Sequence, residues 1–432
     1  MARPKLQADY AWIAENLNKL KVTQSDGSVA LIAFGDGLSF NDLITILNTY
    51  HTFDADVPDD ERGRIINEAV RETARNGAIT ENLLKGQIIK HANRFMSRPA
   101  TNFILVTTLS IKRPTDLKYL RFDSANIIFS TSLPPSFSRD QIVGYKQRKL
   151  PNDLPSDFTT VRIKVKARSE FEAFKKATDS MDYLRGIWNF SLNRGISARF
   201  YSGLLSPINS IRLGPVHTLH LPSGKPATTL FWYEPVYPRE SITETLNKWQ
   251  FVKEEEKQIR KLVNKSRYRQ FFKSMFTRYA RSLDSIDHDS SFLKLWSLLE
   301  FVTVIKENEN YDEVIKRCLF LSLNEDYDRR ILEHLRSRRN ASVHSGESRG
   351  RAEELIFQLK RYVEGLMIFH LQMSRRYSTA EAVGQLLAKS DIDALKNRIS
   401  NLKAELSLNK AALNIHDKAR KGAAKSSEDT SE

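Results

Sequence analysis

The sequence predicts an α+β N-terminal half followed by an all-α helical bundle, and three observations carry that reading. Strand-like runs fall between about 103 and 240, apolar residues from about 241 to 415 recur at helical spacing, and Pro235 and Pro238 separate the two regimes. The expected organisation is an α+β domain over 1–240, a helical domain over 241–375, a helical extension over 376–415 and a disordered tail over 416–432.

Residues 1 to about 100 read as mostly helical, with periodic apolar runs from Leu38 to Leu47 and from Ile65 to Val70 and a break at DADVPDDERG. FILVTTLSI, ANIIFS and TVRIKVKA follow as strands. In the last of these Val161, Ile163 and Val165 alternate with Arg162, Lys164 and Lys166, which makes a half-buried strand with a basic outer face. Ser169, with Glu172 three residues on, has the pattern of a capping box opening an amphipathic helix. SIRLGPVHTLHL and TTLFWYEPVY form a second strand pair around the turn-forming PSGKPA.

Five helices are expected beyond the prolines, at about 243–282, 290–306, 311–322, 325–344 and 351–374. A polar helix over 380–415, with Leu386, Leu387, Ile392, Leu395, Ile399, Leu402 and Leu406, suits an extension or a coiled-coil-like contact. KARKGAAKSSEDTSE has the composition of a disordered end.

A chain of 432 residues, 41% of them apolar, can bury more than one core. Its formal charge of +15 attracts polyanions, so nucleic acid or an anionic membrane is the favoured partner class. One cysteine, Cys318, excludes an intramolecular disulfide framework and a multi-cysteine zinc site, and fits a reducing compartment. The first residues carry Asp9 and Glu15 where a signal peptide would have an apolar core. The richest apolar window, Phe292 to Ile305, contains Lys294 and Glu300, so no membrane span is expected. A cytoplasmic protein follows. Walker, HExxH, dinucleotide-fingerprint and histidine–cysteine patterns do not occur, so no cofactor and no metal are expected.

The segment HLRSRRNASVHSGESRG places Arg339 and His344 in an RxxxxH arrangement. Three of the nine histidines have an arginine five positions earlier, so spacing alone decides nothing. His217 and Arg212 lie in strand-like sequence on opposite faces, and His334 and Arg329 lie about 140° apart on one expected helix. For His344 the expected helix ends at Ser345-Gly346, where the last turn can unwind. Arg339 shares a helical stripe with Leu332, Leu335 and Val343, a costly place for a guanidinium without a partner. It either snorkels out or pairs with an acid, or it is a cation held near a scissile phosphate. Asn340 and Ser342 either orient such a site or cap the helix.

SFLKLWSLLEFVTVI, followed about forty residues later by LRSRRNASVHSG, resembles the HEPN superfamily, especially its Apea-like group. There a tryptophan-containing helix with a glutamate precedes an Arg-Asn-x-x-x-His motif, matched here by Trp296, Glu300, Arg339, Asn340 and His344 over about a third of the chain. The resemblance implies metal-independent RNA cleavage at a composite site of two protomers, a homodimer through the helical domain, and a role in antiviral defence or toxin-like growth arrest. Arg339 and His344 are then catalytic, with Asn340, Glu300 and Ser342 in support. Histidine moves protons near neutral pH and arginine offsets charge on a phosphorane-like transition state, as attack of a 2′-hydroxyl on the adjacent phosphate requires. Glu300 either pairs with Arg339 or lies at a solvated edge, and Trp296 reads as core.

Nine Lys or Arg residues and no acid lie from Lys257 to Arg281, interleaved with Tyr268, Phe271, Phe272, Phe276 and Tyr279. Aromatics at helical spacing point inward and leave the cations outside, either as an RNA footprint or as an ordinary solvated face. The expected RNA-contacting cations are Lys261, Lys265, Arg267, Arg269 and Lys273, with Arg336 and Arg338 beside the motif. The N-terminal half is expected to sense or bind an activating partner. A HEPN-fold module that binds RNA or protein without turnover is the alternative, and an anionic-membrane adaptor is weaker for want of a basic-rimmed apolar helix.

Overall fold

Side-chain caps set the starts of the first helices. Asp9 accepts from the Trp12 N–H ahead of α1 (Tyr10–Lys19), Ser39 from Asp42 ahead of α2 (Phe40–Tyr50), and Thr80 from Leu83 ahead of α4 (Glu81–Met96). Between α2 and α4, α3 (Asp59–Arg75) opens directly after Pro58 with Asp59, Asp60 and Glu61 in its first turn, which suits the positive end of the helix. The break expected through DADVPDDERG therefore ends sooner than its acidic composition suggests. A short hairpin, β1 (Lys21–Thr23) and β2 (Val29–Leu31), interrupts the helical reading. These helices bury Ile13, Leu17, Leu47, Ile66, Val70, Leu84 and Ile88 in a core of their own.

The computed structural model describes residues 9–26, 29–31, 39–53, 57–148, 158–196, 206–234, 237, 247–305, 311–345, 352–389 and 392–428, with side chains at all of these except 148, 343–345, 392 and 419–428.

A six-stranded antiparallel sheet follows, built from β3 (Thr101–Lys112), β4 (Tyr119–Phe122), β5 (Ala125–Ser130), β6 (Phe158–Ala167), β7 (Val216–His220) and β8 (Pro226–Tyr233). Its strand order is β4-β5-β6-β3-β7-β8. The alternation read in β6 holds: Val161, Ile163 and Val165 are buried, whereas Arg162, Lys164 and Lys166 are more exposed. The buried face carries α6 (Glu170–Asn193), where Phe122 meets Tyr183 and Phe129 meets Trp188. Ser169 caps α6 by accepting from the Glu172 N–H, and the Glu172 carboxylate accepts from the Arg168 N–H. The opposite face is covered at β7 and β8 by α5 (Pro135–Arg148), a helix whose sequence gave no periodic signal. Gly144 permits that contact, since a Cβ there would lie 2.9 Å from Val216.

The helical region contains α7 (Trp249–Lys265), α8 (Arg269–Ser282), α9 (His288–Thr303), α10 (Tyr311–Leu319), α11 (Glu325–Ser345), α12 (Ala352–Met373), α13 (Ala380–Leu387) and α14 (Ile392–Glu428). Three expectations are corrected here. The single helix expected at about 243–282 is two, because Ser266 closes a turn with its N–H on Val263 and its hydroxyl on the Tyr268 N–H. The extension expected over 380–415 is also two helices. Finally, α14 continues to Glu428 through the stretch expected to be disordered, where alanines and lysines favour helix.

The chain divides into two compact units, 1–194 with 200–259 and 276–287, and 195–199 with 260–275 and 288–432. A boundary at 240 is thus not where packing divides, because the second half of α8 belongs with α6. Phe276 and Tyr279 meet Phe190 edge-on, and a Cβ on Gly186 would lie 2.1 Å from the Phe276 carbonyl oxygen. Beside this crossing the Arg185 guanidinium, 2% exposed, donates to Asp182 and with both terminal nitrogens to Asp284. Arg281 donates to Asp182 and Asp179, and Asn209 to Asp284. Asn189 and Ile211 exchange a reciprocal pair of bonds.

In the second unit α9 packs on α12. Buried His370 donates from Nε2 to the Val302 carbonyl at 2.7 Å, the Tyr268 hydroxyl donates to the His370 carbonyl, and Phe271 stacks on Phe301. Lys360, 1% exposed, pairs with Glu364 and donates to the Ile196 carbonyl. Cys318 is buried, and burial pushes its thiol far above the usual range. Among the described residues no helix is long and apolar enough to cross a membrane.

Replacing Gly186 by alanine drives a methyl into backbone, and urea denaturation should show a loss of about 1–3 kcal/mol or more. Burial lowers the pKa of His370 to about 4. The unfolded chain, with its imidazole near 6.5, therefore binds a proton that the folded chain refuses. Stability is full above about pH 6.5 and falls toward pH 4, by at most about 1.4 kcal/mol per pH unit for this group. Thermal melts at pH 7 and pH 5 should differ less for His370→Gln than for the native chain, and equal differences would place the acid sensitivity elsewhere.

Candidate active site

Trp296 and Glu300 lie one turn apart on α9, so their side chains share a face. The buried Trp296 indole N–H donates to Glu300 Oε1 at 2.8 Å. Satisfying the indole this way allows it to be buried, and it fixes the carboxylate. The pairing of Glu300 with Arg339 left open from sequence does not occur among the described residues.

Tyr311, the first residue of α10, bridges this pair to the motif. Its ring centroid lies 6.3 Å from that of Trp296 at 59° between planes, and the Arg339 guanidinium sits 4.7 Å from the Tyr311 centroid. Arg339 also donates to Asn340 Oδ1 at 3.4 Å, a long bond. Ser342 Oγ is buried and has no hydrogen-bond partner among the described residues.

The three arginines at the motif on α11, Arg336, Arg338 and Arg339, are told apart by their partners. Arg336 pairs with Asp312 and Arg338 with Asp289, each at 2.6 Å. Among the described residues Arg339 has no carboxylate partner, and its charge rests on an aromatic face. Arg338 is only 8% exposed, so it is a structural ion pair and not the solvent-facing RNA contact expected of it. Arg336 is likewise engaged.

The His344 side chain lies outside the described residues. Its backbone does not: α11 is helical through Ser345, so the unwinding expected at the last turn is absent. On a regular helix positions 339 and 344 stand about 140° apart.

Of the expected RNA-contacting cations, Lys261, Lys265, Arg267 and Arg269 are exposed and have no ion pair among the described residues, whereas Lys273 is half-buried and engaged. Tyr268, Phe272, Phe276 and Tyr279 point inward. Among the described residues no group of three or more His, Cys, Asp or Glu side chains is placed to hold a metal ion.

The chain was compared with protein-family models, with curated proteins and with solved structures. None matches. The arrangement around Arg339 must therefore be weighed on its own chemistry. Sequence reasoning missed Tyr311, Asp289 and Asp312, the residues that sort the arginines, because their relation to α11 is tertiary.

The ring beneath Arg339 gives a direct test. Urea denaturation should place Tyr311→Phe, which keeps the ring, within about 0.5 kcal/mol of the native chain, and Tyr311→Leu about 1 kcal/mol below it.

Proposed function

We propose that the chain is a HEPN-type endoribonuclease that cleaves RNA without a metal ion, acting as a homodimer through its helical domain with Arg339 and His344 as catalytic residues. The observation that carries the reading is the state of Arg339. In a run of three arginines its two neighbours are neutralised by Asp289 and Asp312, while its own guanidinium is half-buried over Tyr311 with no carboxylate partner among the described residues. A cation so held suits an anionic ligand, since no salt bridge has to be broken for a phosphate to bind. The residues that match the family's tryptophan–glutamate helix lie close by: Glu300 holds the Trp296 indole N–H, and the Trp296 ring neighbours Tyr311.

In the proposed reaction a ribose 2′-hydroxyl loses its proton to a basic group, and its oxygen forms a bond to the adjacent phosphorus. The bond from phosphorus to the 5′-oxygen breaks, and that oxygen takes up a proton. The products are a 2′,3′-cyclic phosphate and a 5′-hydroxyl. Arg339 offsets charge on the phosphoryl oxygens, and His344 transfers protons. Because positions 339 and 344 diverge on one helix, we place the complete site between two copies of α11, where the arginine of one protomer works with the histidine of its partner. Lys261, Lys265, Arg267 and Arg269 hold the RNA backbone.

The unbroken helix through Ser345 favours a second reading, a HEPN-fold module that binds RNA or protein without turnover. Incubating the native chain, Arg339→Ala and His344→Ala with total RNA and tRNA in EDTA separates the two. Cleavage by the native chain, ending in cyclic phosphate and reduced about a hundredfold or more in each variant, is expected of the nuclease. Cleavage undiminished in His344→Ala would sink the site assignment, and binding without cleavage by any of them would favour the module.

A further inference from the structure

Among the described residues, the face of the six-stranded sheet opposite α6 is covered over β7 and β8 and not over β4 and β5. α5 lies over β7 and β8, with Phe137 against His220. Beyond it, β3, β4, β5 and β6 line an open cavity of about 520 Å³. Register places Arg121 beside Asn126, Asn126 beside Lys164, and Lys164 beside Ile104 in one cross-strand row, with Lys166 beside Asn102 in another. Tyr119, 59% exposed, lies on the same face and donates its hydroxyl to Asn126 Oδ1.

Three properties of this cavity point to one ligand chemistry. Arg121, Lys164 and Lys166 line it, and among the described residues none of them has an ion pair. The acidic lining residue, Asp123, accepts from the Ser180 hydroxyl at 3.3 Å. The amides of Asn102 and Asn126 offer both donors and acceptors, and the ring of Tyr119 offers a flat apolar surface open to solvent. Lys164 and Lys166 follow each other on one face of β6 about 6.7 Å apart, on the scale of successive phosphates in an extended strand. A membrane surface would call for an apolar rim, and a duplex keeps its bases stacked away from Tyr119.

We propose that this open sheet face binds a single-stranded nucleic acid, with Arg121, Lys164 and Lys166 on its phosphates and Tyr119 stacked on a base. It is a binding site separate from the residues assigned to cleavage, and its occupancy does not depend on turnover at Arg339. RNA and DNA strands share the chemistry that the face reads, unless the asparagine amides reach the sugar.

The test is fluorescence anisotropy on the full chain, with a short labelled 2′-O-methyl RNA and a DNA of the same sequence. Neither probe has a free 2′-hydroxyl, so binding is read whether or not the chain cleaves RNA. Arg121→Ala/Lys164→Ala/Lys166→Ala should weaken binding at least about tenfold more than a control of equal charge loss on α14, Lys396→Ala/Lys403→Ala/Lys410→Ala. The slope of log affinity against log salt should fall by about 2. Tyr119→Leu, at an exposed position, should weaken binding about tenfold with the slope unchanged. Equal loss of both probes supports a backbone-and-stacking site, and greater loss of the RNA probe supports the same site with sugar contacts. A triple variant no weaker than its control would overturn the proposal, as would competition by a duplex or by inorganic phosphate as effective as that of unlabelled strand.

Discussion

Arg185 can be buried only because its guanidinium makes four hydrogen bonds to acceptors on different parts of the chain. Asp182 lies one turn before it on α6, Asp284 comes from the end of α8, and the Ile211 carbonyl comes from the approach to β7. Leaving any of these unmade would strand a charge in a low-dielectric interior, a penalty of several kcal/mol. The positions of Asp284 and Ile211 are therefore fixed relative to α6 by the same group. Since α6 is also the helix that covers the sheet, the same buried cation ties the end of α8 and the approach to β7 to the helix that lies on the strands. Gly186, the next residue along, supplies the close approach that lets Asp284 come within reach.

In the second unit the helix holding Arg339 is governed by a related economy of charge. Three arginines stand close together at the motif on α11, and two carboxylates, from the first turns of α9 and α10, pair with two of them. The third is stabilised by a ring, which lowers its energy without neutralising it. A cation–aromatic contact differs from an ion pair in this respect: the positive potential on the far side of the guanidinium survives. Trp296, its indole N–H held by Glu300, is the aromatic neighbour of Tyr311 in that arrangement.

How much of this could be read from sequence depends on whether the cause was local. The alternation in β6, the Ser169 cap and the spacing of Trp296 and Glu300 act within a few residues, and each was legible. β4 was not, because four residues ending at a left-handed Asp123 carry too short a pattern to register. α5 was missed because its apolar face is small, centred on Phe137 and Gly144, and it starts from two prolines. The Arg339 motif was visible as spacing, but the partners that distinguish it from Arg336 and Arg338 lie 24 and 49 residues away and depend on how α9 and α10 meet α11. The boundary at 240 failed for the same reason: composition marks where strands stop, whereas Phe276 and Tyr279 decide what packs together.

One buried atom has a practical side. The chain has a single thiol, and Cys318 is enclosed and held in its protonated form, the form that does not react as a nucleophile. Such burial predicts that a maleimide or a spin label reacts slowly with the folded protein. A cysteine introduced at any exposed position becomes its sole reactive handle, so the native chain serves as its own background for site-specific labelling, and reaction at Cys318 becomes a clock for opening of the helices around it.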